Sequence, residues 1–281
     1  MPTTTIVEYR WSRSLGSVIS LMYPAWDDPD MAVAALLKDR KLVPKAFDRV
    51  AHRYDRLTSM NPGYDEHLRM SARRMAALPY GRLLDLCCGT GRSTAAVIET
   101  YPDATVVGLD ASRGMLDRCR KGVLARLVQA DAAAPALRAE SCDAVFMAYG
   151  LRNMGDPDAA LVAVKALLRP GGRLALHEYA LTDTRSRVTW AIVAHLVIIP
   201  AGRIWSGSGG LYRYLYRSVA RFDSADQLVE RLRRHGFTDV ERHDTTHWQK
   251  GITHTFTASR GAPPPVSPPT ANTSTTGGSV D

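Results

Sequence analysis

Cysteine is scarce in this 281-residue chain, and the four present, Cys87, Cys88, Cys119 and Cys142, lack the paired spacing of a zinc site. They fall inside apolar or helical patterns rather than loops, which points to reduced thiols in a cytosol, and no metal is expected. The N-terminal residues show no basic head followed by an uninterrupted apolar run and a small-residue cleavage site, so no secretion is expected. Long apolar runs are missing too. The longest, residues 188–200, contains His195 and falls short of the roughly 20 residues of a membrane-spanning helix. It is expected in a core, a cap or an interface. No internal repeat is visible, and no aromatic-interleaved basic track or RNA-binding signature accompanies the net charge of +8. Arg73 and Arg74, and Arg231, Arg233 and Arg234, recur at amphipathic spacing, which reads as solvated helix faces. No nucleic-acid partner is expected.

What the chain does contain is an alternation of apolar runs with helical patterns from residue 82 onward, the signal of a parallel sheet covered by helices. Strands are expected near 82–86, 105–110, 125–129, 143–149 and 173–178, with helices near 93–100, 114–122 and 157–168. Arg169-Pro-Gly-Gly172 supplies breakers after the last of these. Residues 181–221 interrupt the alternation with an aromatic-rich, mostly helical segment placed like an inserted cap. Ser224 is the expected N-cap of a helix reaching His235, and 238–247 and 252–259 alternate like a closing pair of strands. Ahead of this body lies a helical extension over residues 1–45, apolar at 18–26 and helical at 31–42. Behind it, 261–281 is Pro, Ser, Thr and Gly with almost no apolar content, an expected disordered tail. The body itself spans 46–260.

Leu83-Leu-Asp-Leu-Cys-Cys-Gly-Thr-Gly91 carries the chemistry: an apolar strand ends in an acid and turns through two glycines into a helix. Gly89 and Gly91 let backbone approach a ligand where a Cβ would collide, and the helix start offers unpaired N–H groups. A dinucleotide fingerprint would place a third glycine at position 94, where this chain has Thr94. Asp85 would also repel a pyrophosphate, whereas it would pair with the amino group of S-adenosylmethionine (SAM). Ligands of such sheets sit at the carboxyl ends of the strands. Asp110 ends the second strand, where it can accept from ribose hydroxyls. Asp131, with Ala132 beside it, follows the third and can take the adenine amino group, and Tyr149 ends the fourth. Acids recurring at successive strand tips make SAM the expected cofactor.

The chain resembles the class I SAM-dependent methyltransferases, and within them the family that C-methylates prenylated quinols in ubiquinone and menaquinone biosynthesis. The matching stretches are 47–55 around Tyr54-Asp55, 84–91, Tyr149-Gly-Leu-Arg-Asn153, 168–173 and Tyr212-Arg-Tyr-Leu215. The resemblance implies a seven-stranded doubly wound sheet with the last strand antiparallel. It also implies a catalytic role for Arg152 and Asn153 at the acceptor oxygen. Tyr149, a third catalytic candidate, and the cofactor-binding candidate Tyr54 read either as closing over the methyl donor or as ordinary aromatic packing. The acceptor implied is lipophilic and demethylmenaquinol-like, and the expected setting is the cytoplasm or the inner membrane surface, with peripheral membrane association and a homodimer left open. The chain departs from the family by having no tryptophan in 57–69, by Tyr179-Ala180 after Glu178, and by Thr246-His-Trp248. Those departures leave open a terpenoid or aromatic secondary metabolite as acceptor, with methylation or methylation-linked cyclisation, or a purely structural or pericyclic use of SAM. His177 reads as a core histidine, Glu178 as facing the cleft, and His195 and His247 as either packing or substrate contacts.

Overall fold

The computed structural model describes residues 6–8, 29–59, 61–77, 81–119, 125–206 and 209–261. The apolar stretch 18–26 and, apart from Gly261, the expected tail lie outside the described residues. Eight strands form one sheet: β1 Ile6–Glu8, β2 Arg82–Leu86, β3 Thr105–Asp110, β4 Arg126–Gln129, β5 Cys142–Ala148, β6 Leu168–Tyr179, β7 Phe237–Asp244 and β8 Thr253–Arg260. Their order is β1-β4-β3-β2-β5-β6-β8-β7, parallel except for β8, which runs antiparallel to both neighbours. Seven of these strands make the doubly wound sheet expected from the sequence. The eighth, β1, adds to the edge beside β4 (Ile6↔Leu127, Glu8↔Gln129), so the N-terminal extension supplies a strand as well as helix.

The helices are α1 Pro29–Lys38, α2 Val43–Ser59, α3 Tyr64–Arg74, α4 Arg92–Thr100, α5 Arg113–Leu116, α6 Pro157–Leu167, α7 Thr184–Val193, α8 Ile199–Ser206, α9 Gly209–Arg221 and α10 Ala225–Arg234. Alternation along the strands divides the core between the two faces of the sheet. Leu84, Leu86, Val145 and Met147 pack against Leu161 and Val164 of α6 and Leu228 and Leu232 of α10. Leu83, Val106, Ala144 and Phe146 pack on the other side with Leu68 and Ala72 of α3 and Ala96 and Val97 of α4. Ser224 caps α10 through a reciprocal pair with Gln227. The breakers at 169–172 follow the end of α6 at Leu167, as expected, and lie within the course of β6. Cys142 pairs with Leu168 and Ala144 with Arg173, so the four residues bulge out of β6, with Gly171 at φ +76° making the bend.

One expectation is corrected. The apolar run over 188–200 sits inside a longer helical course, Thr184–Ile204, of 21 residues and mean hydropathy 1.3, long and apolar enough by those measures to cross a membrane. It includes a π turn, Ala194–Ile198. Pro200 lies just beyond, and having no N–H it cannot continue the α ladder, which the widened turn accommodates. Trp190, Ala194 and Ile199 fasten this course to the body, all three buried.

Candidate active site

Asp85 shares its sheet face with Leu83, which puts it directly under the start of α4. Its Oδ2 accepts from the hydroxyls of Ser93 (2.7 Å) and Thr94 (2.6 Å), so the residue that replaces a third glycine has a task of its own. Oδ1 is buried and has no partner. Burial pushes the Asp85 carboxyl up to about 7, against the two hydroxyls and with the help of nearby Asp110. Asp110 accepts one backbone N–H on each oxygen, from Gly89 (2.9 Å) and Ser112 (2.8 Å), and burial raises it to about 6. Gly89 and Gly91 both hold positive φ (+56° and +84°), and a Cβ on Gly89 would meet nothing within 4 Å. Asp131 is exposed and turns its Oδ1 to the Ala133 N–H (2.9 Å), with Ala132 buried beside it against the β2–β5 core. An orphaned carboxylate oxygen, open space over the glycine turn and acids at neighbouring strand tips fit a ligand bearing an ammonium, a ribose and a sulfonium. Asp85, Gly89, Gly91 and Asp110 would hold it.

The acceptor side is built on β5 and β6. Tyr149 follows β5 at φ +57° and Cys87 follows β2 at φ +63°, both left-handed. Between them Gly150 is needed for space: a Cβ there would lie 2.8 Å from Cβ of Cys87. Burial drives the Cys87 and Cys88 thiols well up, so neither is a nucleophile. The Tyr149 hydroxyl turns inward to Nε2 of His177 (2.8 Å), whose Nδ1 meets Ser71 Oγ (3.0 Å), and that hydroxyl meets Thr255 Oγ1 (2.7 Å). Burial lowers His177 to about 3, so the ring in this chain is neutral. His177 is thus the core histidine expected, with the added task of fixing Tyr149.

Arg152 and Asn153 lie in a short 3-10 turn after Tyr149, and both donate to its carbonyl oxygen, Arg152 NH1 at 2.7 Å and Asn153 Nδ2 at 2.9 Å. NH1 also pairs with Glu178 Oε1 (3.2 Å). Glu178 is wholly buried; it was expected to face the cleft and instead backs Arg152, taking further N–H bonds from Arg152 and Tyr179. Burial raises its carboxyl, and the guanidinium opposes that rise. The Arg152 Nε is buried and has no partner. Tyrosines wall this pair: Tyr64 stacks on Tyr149 (5.6 Å between centroids), Tyr179 lies 5.0 Å from Tyr149, and the guanidinium sits 5.2 Å over the Tyr179 ring. Tyr54 hydrogen-bonds Tyr64 and feels both Arg152 and Asp110, which places it between the donor and acceptor halves. Desolvation raises the pKa of Tyr54, Tyr64 and Tyr149, so all three stay protonated near neutrality. Tyr214 of the cap donates to Asn153 Oδ1 (3.0 Å) and accepts from Arg40.

A strap that sequence reasoning missed crosses the donor loop. From α2, Asp55 accepts from Thr90 (2.6 Å), and Asp48 accepts from Ser112 Oγ (2.5 Å) and the Gly114 N–H (2.8 Å). Arg92, buried at the first turn of α4, forks onto Asp65 (2.9 and 2.6 Å) and reaches Thr58 and Ser59. The signal was there: a cation at the positive end of a helix is unfavourable unless it is paired. Thr246-His-Trp248 adjoins the contacts that dock α3, where His67 meets Gln249 (3.0 Å) and Thr246 (3.1 Å). His195 is exposed on the cap, its ring edge-on to Tyr216 (4.5 Å between centroids) and its Nδ1 hydrogen-bonded to the Ala191 carbonyl.

The family model for the ubiE/COQ5 methyltransferase family matches residues 34–259. The chain is 34% identical over 230 residues to the ubiquinone/menaquinone biosynthesis C-methyltransferase UbiE of Syntrophotalea carbinolica, covering 77% of this chain and 93% of that one. To the demethylmenaquinone methyltransferase of Clavibacter sepedonicus it is 32% identical over 223 residues, covering 77% and 90%. In fold it is similar to the [4+2]-cyclase SpnF, with a TM-score of 0.59 at 17% identity over 79% of this chain and 96% of that one. The chain is a SAM-dependent methyltransferase and belongs to the ubiE/COQ5 methyltransferase family.

Proposed function

We propose that the chain methylates a ring carbon of a lipophilic, prenylated quinol of the demethylmenaquinol kind. The observation that carries this is Arg152: a buried guanidinium held by Glu178 and the Tyr149 carbonyl, with Nε left unpartnered among tyrosine rings. Bound SAM supplies an electrophilic methyl group on its sulfonium. Arg152 stays protonated and is no base; it would stabilise the oxyanion left as the quinol hydroxyl gives its proton to solvent, and the ring carbon that takes the methyl then loses its own proton to water. Asn153 fixes the turn that carries Arg152, and Tyr54 and Tyr64 donate or orient between acceptor and donor. Relatives named for ubiquinone, menaquinone and demethylmenaquinone methylation support the acceptor class. The protein works in the cytoplasm and meets its acceptor at the inner membrane surface.

The test is incubation with SAM and a panel of reduced short-tailed naphthoquinols, benzoquinols, tRNA and terpenyl diphosphates, reading S-adenosylhomocysteine and the methylated product by mass spectrometry. Turnover is expected with quinols and not with their oxidised quinones. Turnover with terpenyl diphosphates alone, or with tRNA, would overturn the reading.

A further inference from the structure

Six large apolar side chains are more than half exposed among the described residues, and five of them, Val188, Ile192, Leu196, Val197 and Ile204, lie on the single helical course Thr184–Ile204. Val188, Ile192 and Leu196 follow one another at spacing four, the outer face of the helix. The inner face is apolar as well, with Trp190 and Ala194 each 1% exposed. A helix apolar on both faces belongs in a covered environment, yet only 22% of its most apolar stretch is buried in this chain. Its outer side is a surface suited to an apolar neighbour.

Charge decides what that is. Residues 184–222 hold six arginines, Arg185, Arg187, Arg203, Arg213, Arg217 and Arg221, and no Asp or Glu. Arg185, Arg187 and Arg203 are exposed on the same course as the apolar row. A second copy docked through this face would set the same cations against one another, because a two-fold contact apposes a patch with itself. An anionic bilayer offers both an apolar interior and phosphates above it. Crossing the bilayer would strip Trp190 from Tyr179 (5.2 Å between ring centroids) and from the Tyr216 carbonyl. The helix therefore lies in the interface plane. We infer that the outer face of Thr184–Ile204 seats this protein on an anionic lipid surface, with Ile192 and Leu196 inserted and Arg185, Arg187 and Arg203 at the headgroups.

The inference builds on the lipophilic acceptor proposed above and adds a route. Trp190, on the back of the seated helix, touches Tyr179, which touches Tyr149 at the strand tip. A tailed acceptor can present its ring to the tyrosine wall while its tail stays among lipids.

Flotation of the full chain with vesicles tests this, using phosphatidylglycerol–phosphatidylcholine against phosphatidylcholine alone. Binding is expected to the anionic vesicles, weakened by salt, and Ile192→Glu/Leu196→Glu should weaken it by roughly tenfold or more. Val162→Glu, an equally exposed apolar position on α6, serves as the control and should leave binding unchanged. Turnover of a short-tailed quinol in water should be the same for the double variant as for the parent. If the parent ignores anionic vesicles, if the double variant binds them as well as the parent, or if Val162→Glu loses as much, the inference fails. It fails also if light scattering shows a dimer that Ile192→Glu/Leu196→Glu splits, which would give the face to a second copy. Lost vesicle binding in the double variant, with no quinol turnover by any form, would overturn the acceptor reading and leave the docking surface standing.

Discussion

Compare the two sides of the cleft. On the donor side the acids are met by backbone and small hydroxyls: Asp110 by the N–H groups of Gly89 and Ser112, Asp85 by Ser93 and Thr94, Asp48 by Gly114. On the acceptor side a single ion pair, Arg152–Glu178, is sealed among the rings of Tyr54, Tyr64, Tyr149 and Tyr179. The first half is made by where the chain turns, the second by which side chains meet. A common cofactor can be held by backbone geometry that varies little, while a variable acceptor needs a wall that side chains can reshape without disturbing the turn.

The largest way to break that contrast is to remove the acceptor cation. Arg152→Ala leaves Glu178 buried and uncompensated, and should cost roughly 3–5 kcal/mol of stability. Adding Glu178→Gln should recover most of it in chemical denaturation while activity stays lost. An Arg152→Ala protein as stable as the parent would mean the pair is not sealed. Next comes the donor side. Asp110→Ala removes the acceptor of two backbone N–H groups, and SAM affinity by calorimetry should drop about tenfold or more, at roughly 1.5–3 kcal/mol per charge-assisted bond. The rate at saturating SAM should change little, and a fall in rate without a fall in affinity would contradict the division of labour.

Gly150→Ala probes the floor that the halves share. Its Cβ would press on Cys87, an overpacking cost of about 1–3 kcal/mol, and Cys87→Gly in the same chain should relieve it, as read by thermal unfolding. Additive rather than compensating effects would show that the two residues do not meet. The smallest effect is in pH. Asp85 near 7 and Asp110 near 6 are raised carboxyls, and a bound cation favours their ionised forms, so SAM binding releases protons at pH 6.5. Affinity should therefore rise a few-fold from pH 5.5 to 7.5. Binding heats that do not depend on the ionisation heat of the buffer would contradict it.

The same contrast explains what was legible beforehand. Strands 82–86 and 105–110 match their expected limits because each is an apolar run, the first followed by the Cys-Cys-Gly turn and the second closed by Asp110, and the glycine turn is a matter of spacing. His177 under Tyr149, Ser71 under His177 and Asp65 on Arg92 were not legible, since each pair joins residues distant in sequence. β1 is three residues long and owes its form to pairing with β4, so no periodicity announces it. The segment 181–221 was legible as helical, but its apolar run counted only 188–200 because Arg185 and Arg187 precede it, whereas the helical course begins at Thr184.

The strap from α2 makes the donor loop depend on a helix that precedes it in the chain. Asp55 on Thr90, Asp48 on Ser112 and Arg92 across to Asp65 tie the helix down over the glycine turn. The glycine turn is therefore held from outside its own strand and helix, and its rigidity is borrowed from residues more than twenty positions ahead of it.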